Sequence, residues 1–250
     1  MSYLWNLLLY QPLVNALAFL VSIVPGANVG VAVILLTVLV KLILFPLSQS
    51  QIRNQAAMNM LAPEINKIKA STANKEEQAR LTFELYKKHK TNPFTGCLTM
   101  IPTLIIIIAL YNVFLNGIKF DGGILYAFIH VPENINMLFF GLFDISQSKI
   151  LSLAILAGVS QYVQAYFMPK MPTSLNGGKG TESFQDSFAK SMNMQMKYVF
   201  PFLIALITYN FSGAVALYLI TNNIFSTLQQ IYVSKTEKKV LDVEVKELIS

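Results

Sequence analysis

The sequence predicts an all-α membrane protein that crosses the bilayer several times. Charged residues make up 13% of the 250 residues and hydrophobic residues 54%, whereas a soluble domain contains about 25% charged residues. The apolar residues form continuous runs, several of them close to the roughly 20 residues that a helix needs to cross a bilayer. Lys and Arg are concentrated between some of these runs and rare between others, which is typical of a polytopic protein.

Five apolar runs predict five transmembrane helices. They cover residues 29–48, 97–116, 150–168, 194–211 and 213–233. The last two follow each other almost directly, which predicts a tight helical hairpin within the membrane.

The N-terminal region, residues 1–28, is predicted to form an interfacial helix on the external side. Its apolar segment 3–24 also contains Tyr3, Trp5 and Asn15, which suit the level of the lipid headgroups. A sixth span is the alternative. A signal peptide is disfavoured, because it requires a positively charged start and no Lys or Arg precedes Lys41.

The distribution of Lys and Arg predicts the orientation, because cytoplasmic loops carry an excess of both. The segment 49–96 contains eight of them, whereas the loop 117–149 contains two. We therefore expect the segment 49–96, the loop 169–193 and the tail 234–250 to be cytoplasmic. The loop 117–149 is then external, the N-terminus outside and the C-terminus inside.

The cytoplasmic segment 49–96 is predicted to be a helical hairpin. Its first helix, 49–70, is expected to continue from the first span, and its second covers 74–90. Asn74 and Glu77 have the spacing of a capping box at the start of the second helix. The hairpin is interpreted either as a solvated structural element or as a docking surface for a client protein or the ribosome.

Lys41 is the residue of the spans that most needs an explanation. A lysine near the middle of a membrane helix costs roughly 2.5–3.5 kcal/mol on insertion scales. No Asp or Glu occurs in any of the five predicted spans, so the spans provide no acidic partner. A water-filled cavity open to the cytoplasm would hydrate the ammonium and leave it available to a carboxylate from another protein.

Polar side chains on three spans predict where such a cavity lies. Helical spacing aligns the polar side chains of the first and fifth spans in stripes, and polar faces in lipid turn towards the bundle interior. Ordinary hydrogen bonding between helices explains any single one of these residues equally well. The predicted groove residues are Lys41, Thr37, Ser48, Ser160, Gln161, Gln164, Tyr218, Asn222, Asn223 and Ser226.

The sequence predicts no cofactor, no metal site and no enzyme active site. The single cysteine, Cys97, excludes an intramolecular disulfide and a cysteine-built metal site. The segment 177–180, Gly-Gly-Lys-Gly, lacks the spacing of a phosphate-binding loop. The net charge of +6 is explained by cytoplasmic loops rather than by nucleic acid, for which no specific binding is predicted.

Three stretches together resemble YidC-type membrane-protein insertases of the Oxa superfamily. They are "KLILFPLSQSQI", "NPFTGCLTMIPTLIIIIALYNVF" and "MKYVFPFLIALITYNFSGAVALYLITNNIFSTLQQIY". The resemblance covers residues 6–235 and fits a short form without a large external domain. Lys41 is a departure, since family members usually have arginine there, and lysine lacks the guanidinium fork that binds a carboxylate bidentately.

The resemblance implies an insertase and chaperone that brings client membrane proteins into a bacterial plasma membrane. The groove would be closed to the outside and open to the cytoplasm and to lipid, with its positive residue attracting the client's hydrophilic tail. The ribosome and a Sec-type translocon are expected as further partners. A small-solute transporter or channel is the alternative, because polar residues within spans also mark solute pathways; the lack of an internal repeat argues against it.

Overall fold

The computed structural model describes residues 6–72, 74–89, 91, 104–109, 112, 125–130, 132, 134–168 and 190–249. This part of the chain is mainly helical. The helices are α1 (Gln11–Ile23), α2 (Val29–Ile43), α3 (Phe45–Met60), α4 (Ala62–Ser71), α5 (Lys75–Lys88), α6 (Leu151–Phe167), α7 (Phe200–Asn210) and α8 (Gly213–Ile249). Two short strands, β1 (Leu138–Phe139) and β2 (Phe143–Asp144), pair in an antiparallel hairpin.

The chain forms two compact units. The first comprises Met1–Leu44, Ile101–Gln164 and Phe200–Ser226, and the second comprises Phe45–Met100, Ala165–Val199 and Thr227–Ser250. The first unit therefore contains α1, α2, the β-hairpin, α7, most of α6 and the first part of α8.

The first unit has a continuous apolar core. It is formed where α1, α2, the β-hairpin and the start of α8 meet, and it includes Val14, Leu17, Val21, Val29, Val33, Leu36, Phe139, Ile145, Val215 and Leu219. Gly30 lets α2 approach the hairpin, because a Cβ at this position would overlap the ring of Phe139. The apolar runs that predicted membrane helices therefore also build the core of this unit.

Asn28 fixes the start of α2. Its Oδ1 accepts a hydrogen bond from the backbone N–H of Val31 at 3.1 Å, which is an N-cap. Its Nδ2 donates to the carbonyl oxygen of Leu138 at 2.8 Å. One side chain thus caps the helix and attaches it to β1.

Asn15 is a buried residue of α1 that forms hydrogen bonds with the backbone of two segments. The side chain is 2% exposed, its Nδ2 donates to the carbonyl oxygen of Gln11, and its Oδ1 accepts from the N–H of Tyr126, both at 2.7 Å. The buried amide thus satisfies backbone groups of two segments. The interfacial position of residues 1–28 stays a prediction.

Prolines interrupt the helix that the sequence predicted to continue from the first span. The helix α2 ends at Ile43 and α3 begins at Phe45, because Pro46 has no N–H and its ring crowds the carbonyl of Leu42. A second break lies at Leu61, just before Pro63. The continuity predicted for 29–70 is thus wrong, and the described residues of the hairpin segment form three helices, α3, α4 and α5, where two were predicted.

The predicted start of the second hairpin helix is confirmed. Asn74 is the N-cap of α5, and its Oδ1 accepts a hydrogen bond at 2.9 Å from the N–H of Glu76 rather than that of Glu77. Arg80 makes a 2.7 Å ion pair with Glu77 on the exposed face of α5. The two side chains are 63% and 41% exposed, so this face of α5 is solvated and the pair adds little stability.

The number of spans stays a prediction. Among the described residues, Asn6–Ile23 is long and apolar enough to cross a membrane alone, and Val29–Ile43 with Phe45–Met58 reaches that length if the two are one broken span. The second predicted span lies largely outside the described residues, of which 104–109 are helical. The helix α8 begins where predicted but continues to Ile249.

Candidate functional site: a polar face around Lys41

Lys41 lies in the last turn of α2 and is bound to a neutral partner. Its Nζ donates a hydrogen bond to Ser226 Oγ, on α8, at 2.9 Å. Both side chains are half-buried. The ammonium is therefore held at a fixed place without a carboxylate in that bond, as the lack of acidic residues in the predicted spans indicated.

Asn222 and Asn223 continue the polar face of α8. Both are buried, at 5% and 1% exposure. Asn223 Nδ2 donates to Ser160 Oγ at 3.0 Å, and the Ser160 hydroxyl in turn donates to the carbonyl oxygen of Ala157 at 2.8 Å. This chain of hydrogen bonds joins α8 to α6.

Asn222 contributes a buried acceptor to the same face. Its Nδ2 lies 3.4 Å from Asn223 Oδ1, a long hydrogen bond. Its own Oδ1 is buried and has no hydrogen-bond partner within the described part of the chain. Leaving a buried amide oxygen without a hydrogen bond costs about 1–3 kcal/mol.

Thr37, Lys41 and Ser48, which helical spacing on the first span predicted to share a stripe, belong to two helices. Thr37 is buried on α2, and its hydroxyl donates to the carbonyl oxygen of Val33 at 2.7 Å. Ser48 follows the break at Leu44 and belongs to α3 in the second unit. The prediction of one continuous stripe through Thr37, Lys41 and Ser48 is therefore wrong, because it assumed an unbroken helix.

The remaining predicted groove residues differ in burial. Tyr218 is 1% exposed and belongs to the apolar core. Gln161 and Gln164 are half-buried on α6, beyond Ser160. The structure thus brings Lys41 to Ser226 and Ser160 to Asn223, and it gives Tyr218 a packing role.

Sequence reasoning missed one contact of the second unit. Gln229, on α8, donates from Nε2 to the carbonyl oxygen of Phe45 at 3.2 Å. Phe45 is the first residue of α3 and directly follows the helix break. The amide stripe on α8 was visible in the sequence, but its backbone partner, 184 positions away, was not.

The polar face around Lys41 offers hydrogen-bond donors and acceptors. It consists of an ammonium, hydroxyls and carboxamides. Across the described residues, no cluster of His, Cys, Asp and Glu could hold a metal ion, and Cys97 lies outside them. Hydrogen-bond donors and acceptors of this kind suit a polar or charged peptide segment.

Large apolar side chains cover the outward faces of α6 and α7. Exposed examples are Leu151, Ile155, Leu156, Val159, Phe202, Leu203 and Leu206. Exposed apolar surface of this extent is unusual for a soluble monomer. It is the expected surface of helices that contact lipid.

Comparison with known proteins decides the family. Residues 19–240 match the family model described as 60Kd inner membrane protein. The chain belongs to this family. The resemblance to YidC-type insertases that the three sequence stretches predicted is therefore confirmed, and the protein is a membrane protein, as its composition indicated.

Three relatives show how much of the chain this similarity covers. The membrane protein insertase YidC of Fusobacterium nucleatum is 32% identical over 241 residues, which are 94% of this chain and 98% of that protein. The Oceanobacillus iheyensis protein of the same name is 28% identical, covering 93% and 84%. That of Anaeromyxobacter is 34% identical, but the chain covers only 32% of its length.

Proposed function

We propose that the protein inserts client membrane proteins into the bilayer and assists their folding. The observation that carries the proposal is the hydrogen bond between Lys41 and Ser226, which holds a cation beside the buried polar residues of α8. Membership of a family whose relatives are named membrane protein insertase supports it.

The proposed groove is lined by Lys41, Ser226, Asn222, Asn223 and Ser160. Of the other predicted groove residues, Thr37, Gln161 and Gln164 would extend it along α2 and α6, whereas Tyr218 packs in the apolar core and Ser48 belongs to the second unit. In this proposal the groove opens to the cytoplasm and to lipid and is closed to the outside. Hydration of the groove would shorten the hydrocarbon layer that a client's hydrophilic tail must cross.

Lys41 is proposed to receive an acidic residue of that tail. Its bond to Ser226 is one between an ammonium and a neutral hydroxyl. A client carboxylate would add the attraction between two opposite charges, which a neutral hydroxyl does not supply. Replacement of the Ser226 hydroxyl by a client carboxylate as the partner of Lys41 therefore favours entry of an acidic tail. No covalent bond is made or broken.

The proposed topology has five spans, an external N-terminus and a cytoplasmic C-terminus in a bacterial plasma membrane. The hairpin segment 49–96 and the tail 234–250 would then lie in the cytoplasm, where a ribosome or a Sec-type translocon can contact them. The charged outer face of α5, including the pair Arg80 and Glu77, supports an exposed position for the hairpin.

Reconstitution of the full chain tests the function directly. The purified protein in liposomes should protect the translocated tail of a single-span client from added protease, whereas empty liposomes should not. Lys41→Ala should reduce protection of a client with an acidic tail. Lys149→Gln, which removes an exposed charge from the predicted external loop, is the matched control and should retain protection. Specific solute uptake without client protection would instead indicate a transporter.

A further inference from the structure

Lys197 lies between two exposed tyrosines at one end of α6 and α7. Its Nζ is 5.3 Å from the ring centroid of Tyr166, near the end of α6, and 5.3 Å from that of Tyr198. All three residues belong to the second unit. Two cation–π contacts restrain the ammonium of a side chain that is otherwise flexible.

The local backbone has a sequence cause. Lys197 and Tyr198 lie in a π-helical turn, Gln195–Val199, that precedes α7. Pro201 follows, which has no N–H to donate to the carbonyl four residues earlier, that of Lys197. An irregular helical turn is the expected result at this position.

The surface around the ammonium is both aromatic and apolar. Tyr166 is 63% exposed and Tyr198 58% exposed. Phe167, Met194 and Val199 are exposed beside them in the sequence. Tyrosine and lysine at the end of an apolar helix suit the boundary between acyl chains and headgroups.

Acidic residues are absent from the sequence directly around Tyr166 and Lys197. No Asp or Glu occurs between Asp144 and Glu182 or between Asp186 and Glu237. Lys197 therefore has no acidic neighbour close in sequence. An anionic group is the complement of this surface.

We propose that Tyr166, Lys197 and Tyr198 bind the phosphate of an anionic phospholipid at the cytoplasmic face of the membrane. This inference rests on the orientation proposed above and not on client insertion. Lys197 and the tyrosine hydroxyls bind the phosphate, and the exposed apolar side chains contact the acyl chains. Phosphatidylcholine carries a positively charged choline group, which aromatic ring faces attract. The Lys197 ammonium already occupies these ring faces, so phosphatidylglycerol is favoured over phosphatidylcholine.

A photoactivatable phosphatidylglycerol tests the site. The full chain is reconstituted in phosphatidylcholine vesicles with a trace of this probe, and the adduct on the peptide containing Lys197 is measured by mass spectrometry. Unlabelled phosphatidylglycerol should compete for the adduct, whereas phosphatidylcholine should not. Soluble glycerol phosphate should not compete, because it has no acyl chains; competition by it would overturn the lipid as ligand.

Two charge variants separate this site from general surface charge. Lys197→Gln should lower the adduct about five-fold, since a basic residue near an anionic surface contributes about 1 kcal/mol. Lys235→Gln, which removes an exposed charge from α8, should leave it unchanged. An equal loss in both variants, or equal labelling by a photoactivatable phosphatidylcholine, would overturn the proposal. Client insertion is not used as a readout, so failure here is distinguishable from failure of the proposed function.

Discussion

Lys41 and Ser226 are joined by a hydrogen bond of 2.9 Å between residues 185 positions apart in the sequence. The bond connects the last turn of α2 to α8. It gives the ammonium a defined position while its partner remains neutral. Two consequences follow, one for stability and one for client selection.

The first prediction is an energetic coupling between these two residues. Polar pairs in membrane proteins couple by about 0.6 kcal/mol on average and about 1.7 at most. We expect about 1 kcal/mol for Lys41→Gln combined with Ser226→Ala, because one partner is charged. The free energy of unfolding, measured by steric trapping in bicelles, gives the double-mutant cycle.

The matched control cycle combines Ser226→Ala with Thr37→Ala. The Thr37 hydroxyl donates to the carbonyl of Val33 within its own helix. The effects of Thr37→Ala and Ser226→Ala on the free energy of unfolding should therefore add without coupling. A coupling for Lys41 no larger than for Thr37 would show that the hydrogen bond contributes no stability.

The second prediction concerns the tail charge of the client. Lys41→Ala should slow insertion most when the translocated tail carries two aspartates, less with one and least with none. Lys41→Arg should retain insertion, and Lys41→Glu should be worse than Lys41→Ala, because it repels the same tails. Rates are measured by protease protection in liposomes. A defect that is independent of tail charge would assign Lys41 to hydration or packing.

The third prediction concerns topology. Single cysteines at Ser71 and Asn134, in a Cys97→Ser background, should react with an impermeant thiol reagent from opposite sides of the membrane. Both positions are exposed in the structure, so accessibility within the protein does not limit the reaction. Labelling from the same side would contradict the proposed orientation and the span count.

The sequence predicted the helical class, the family and the helix start at Asn74. The cap at Asn74 followed from its spacing to the acidic residues of the first turn of α5. These features depend on local sequence or on burial in lipid. Both can be inferred without knowing how distant segments pack.

Helix breaks and paired contacts were not predictable in the same way. The breaks at Leu44 and Leu61 depend on Pro46 and Pro63, which a scan for apolar length does not register. The polar character of Asn15 was visible in the sequence, but its hydrogen bond with the N–H of Tyr126, 111 positions away, was not. Such a partner becomes visible only when the chain is folded.

The fourth prediction concerns the pKa of Asp144 at the end of the β-hairpin. Hydrogen bonds from the Ser146 hydroxyl at 2.6 Å, from Gln147 Nε2 at 2.8 Å and from the Ser146 N–H at 3.1 Å stabilise the carboxylate. The hydroxyl of Ser146 is the largest cause of a pKa held below the ordinary value. At a pH above the ordinary Asp pKa of about 3.9, these bonds stabilise the folded hairpin. Their contribution to stability is lost as the pH falls through the lowered pKa of Asp144.

Carboxyl NMR titration of the protein in nanodiscs checks this pKa. Ser146→Ala should raise the pKa of Asp144 towards its ordinary value. Ser148→Ala, a nearby exposed serine, should leave it unchanged. Asp144→Asn should remove the acid-dependent loss of hairpin order, and a pKa that does not respond to Ser146→Ala would contradict the hydrogen-bond origin.

The last prediction concerns the close approach of α6 and α7 at Gly158. A Cβ at this position would lie 3.0 Å from Ala205 Cβ and 3.0 Å from the carbonyl oxygen of Pro201. Small residues at such crossings let membrane helices pack closely. Alanine is the better helix former by about 1 kcal/mol, but overpacking costs about 1–3 kcal/mol. We expect the overpacking to prevail, because one of the two obstructing atoms is backbone and cannot rotate away.

Gly158→Ala should therefore lower the free energy of unfolding by about 1 kcal/mol, and Gly158→Leu should lower it further. Gly158→Ala should cost less in an Ala205→Gly background than in the parent, since the contacting methyl is then gone while the carbonyl of Pro201 stays in place. Ala205→Gly itself costs about 1 kcal/mol of helix propensity, so the double-mutant cycle is compared rather than the double variant alone. Ser152→Val adds comparable bulk at an exposed position of α6 and is the control, which should stay within about 0.5 kcal/mol of the parent. Steric trapping in bicelles measures all of these variants. A Gly158→Ala protein that is more stable than the parent would show that the two helices separate without cost, and that the glycine is not required for their packing.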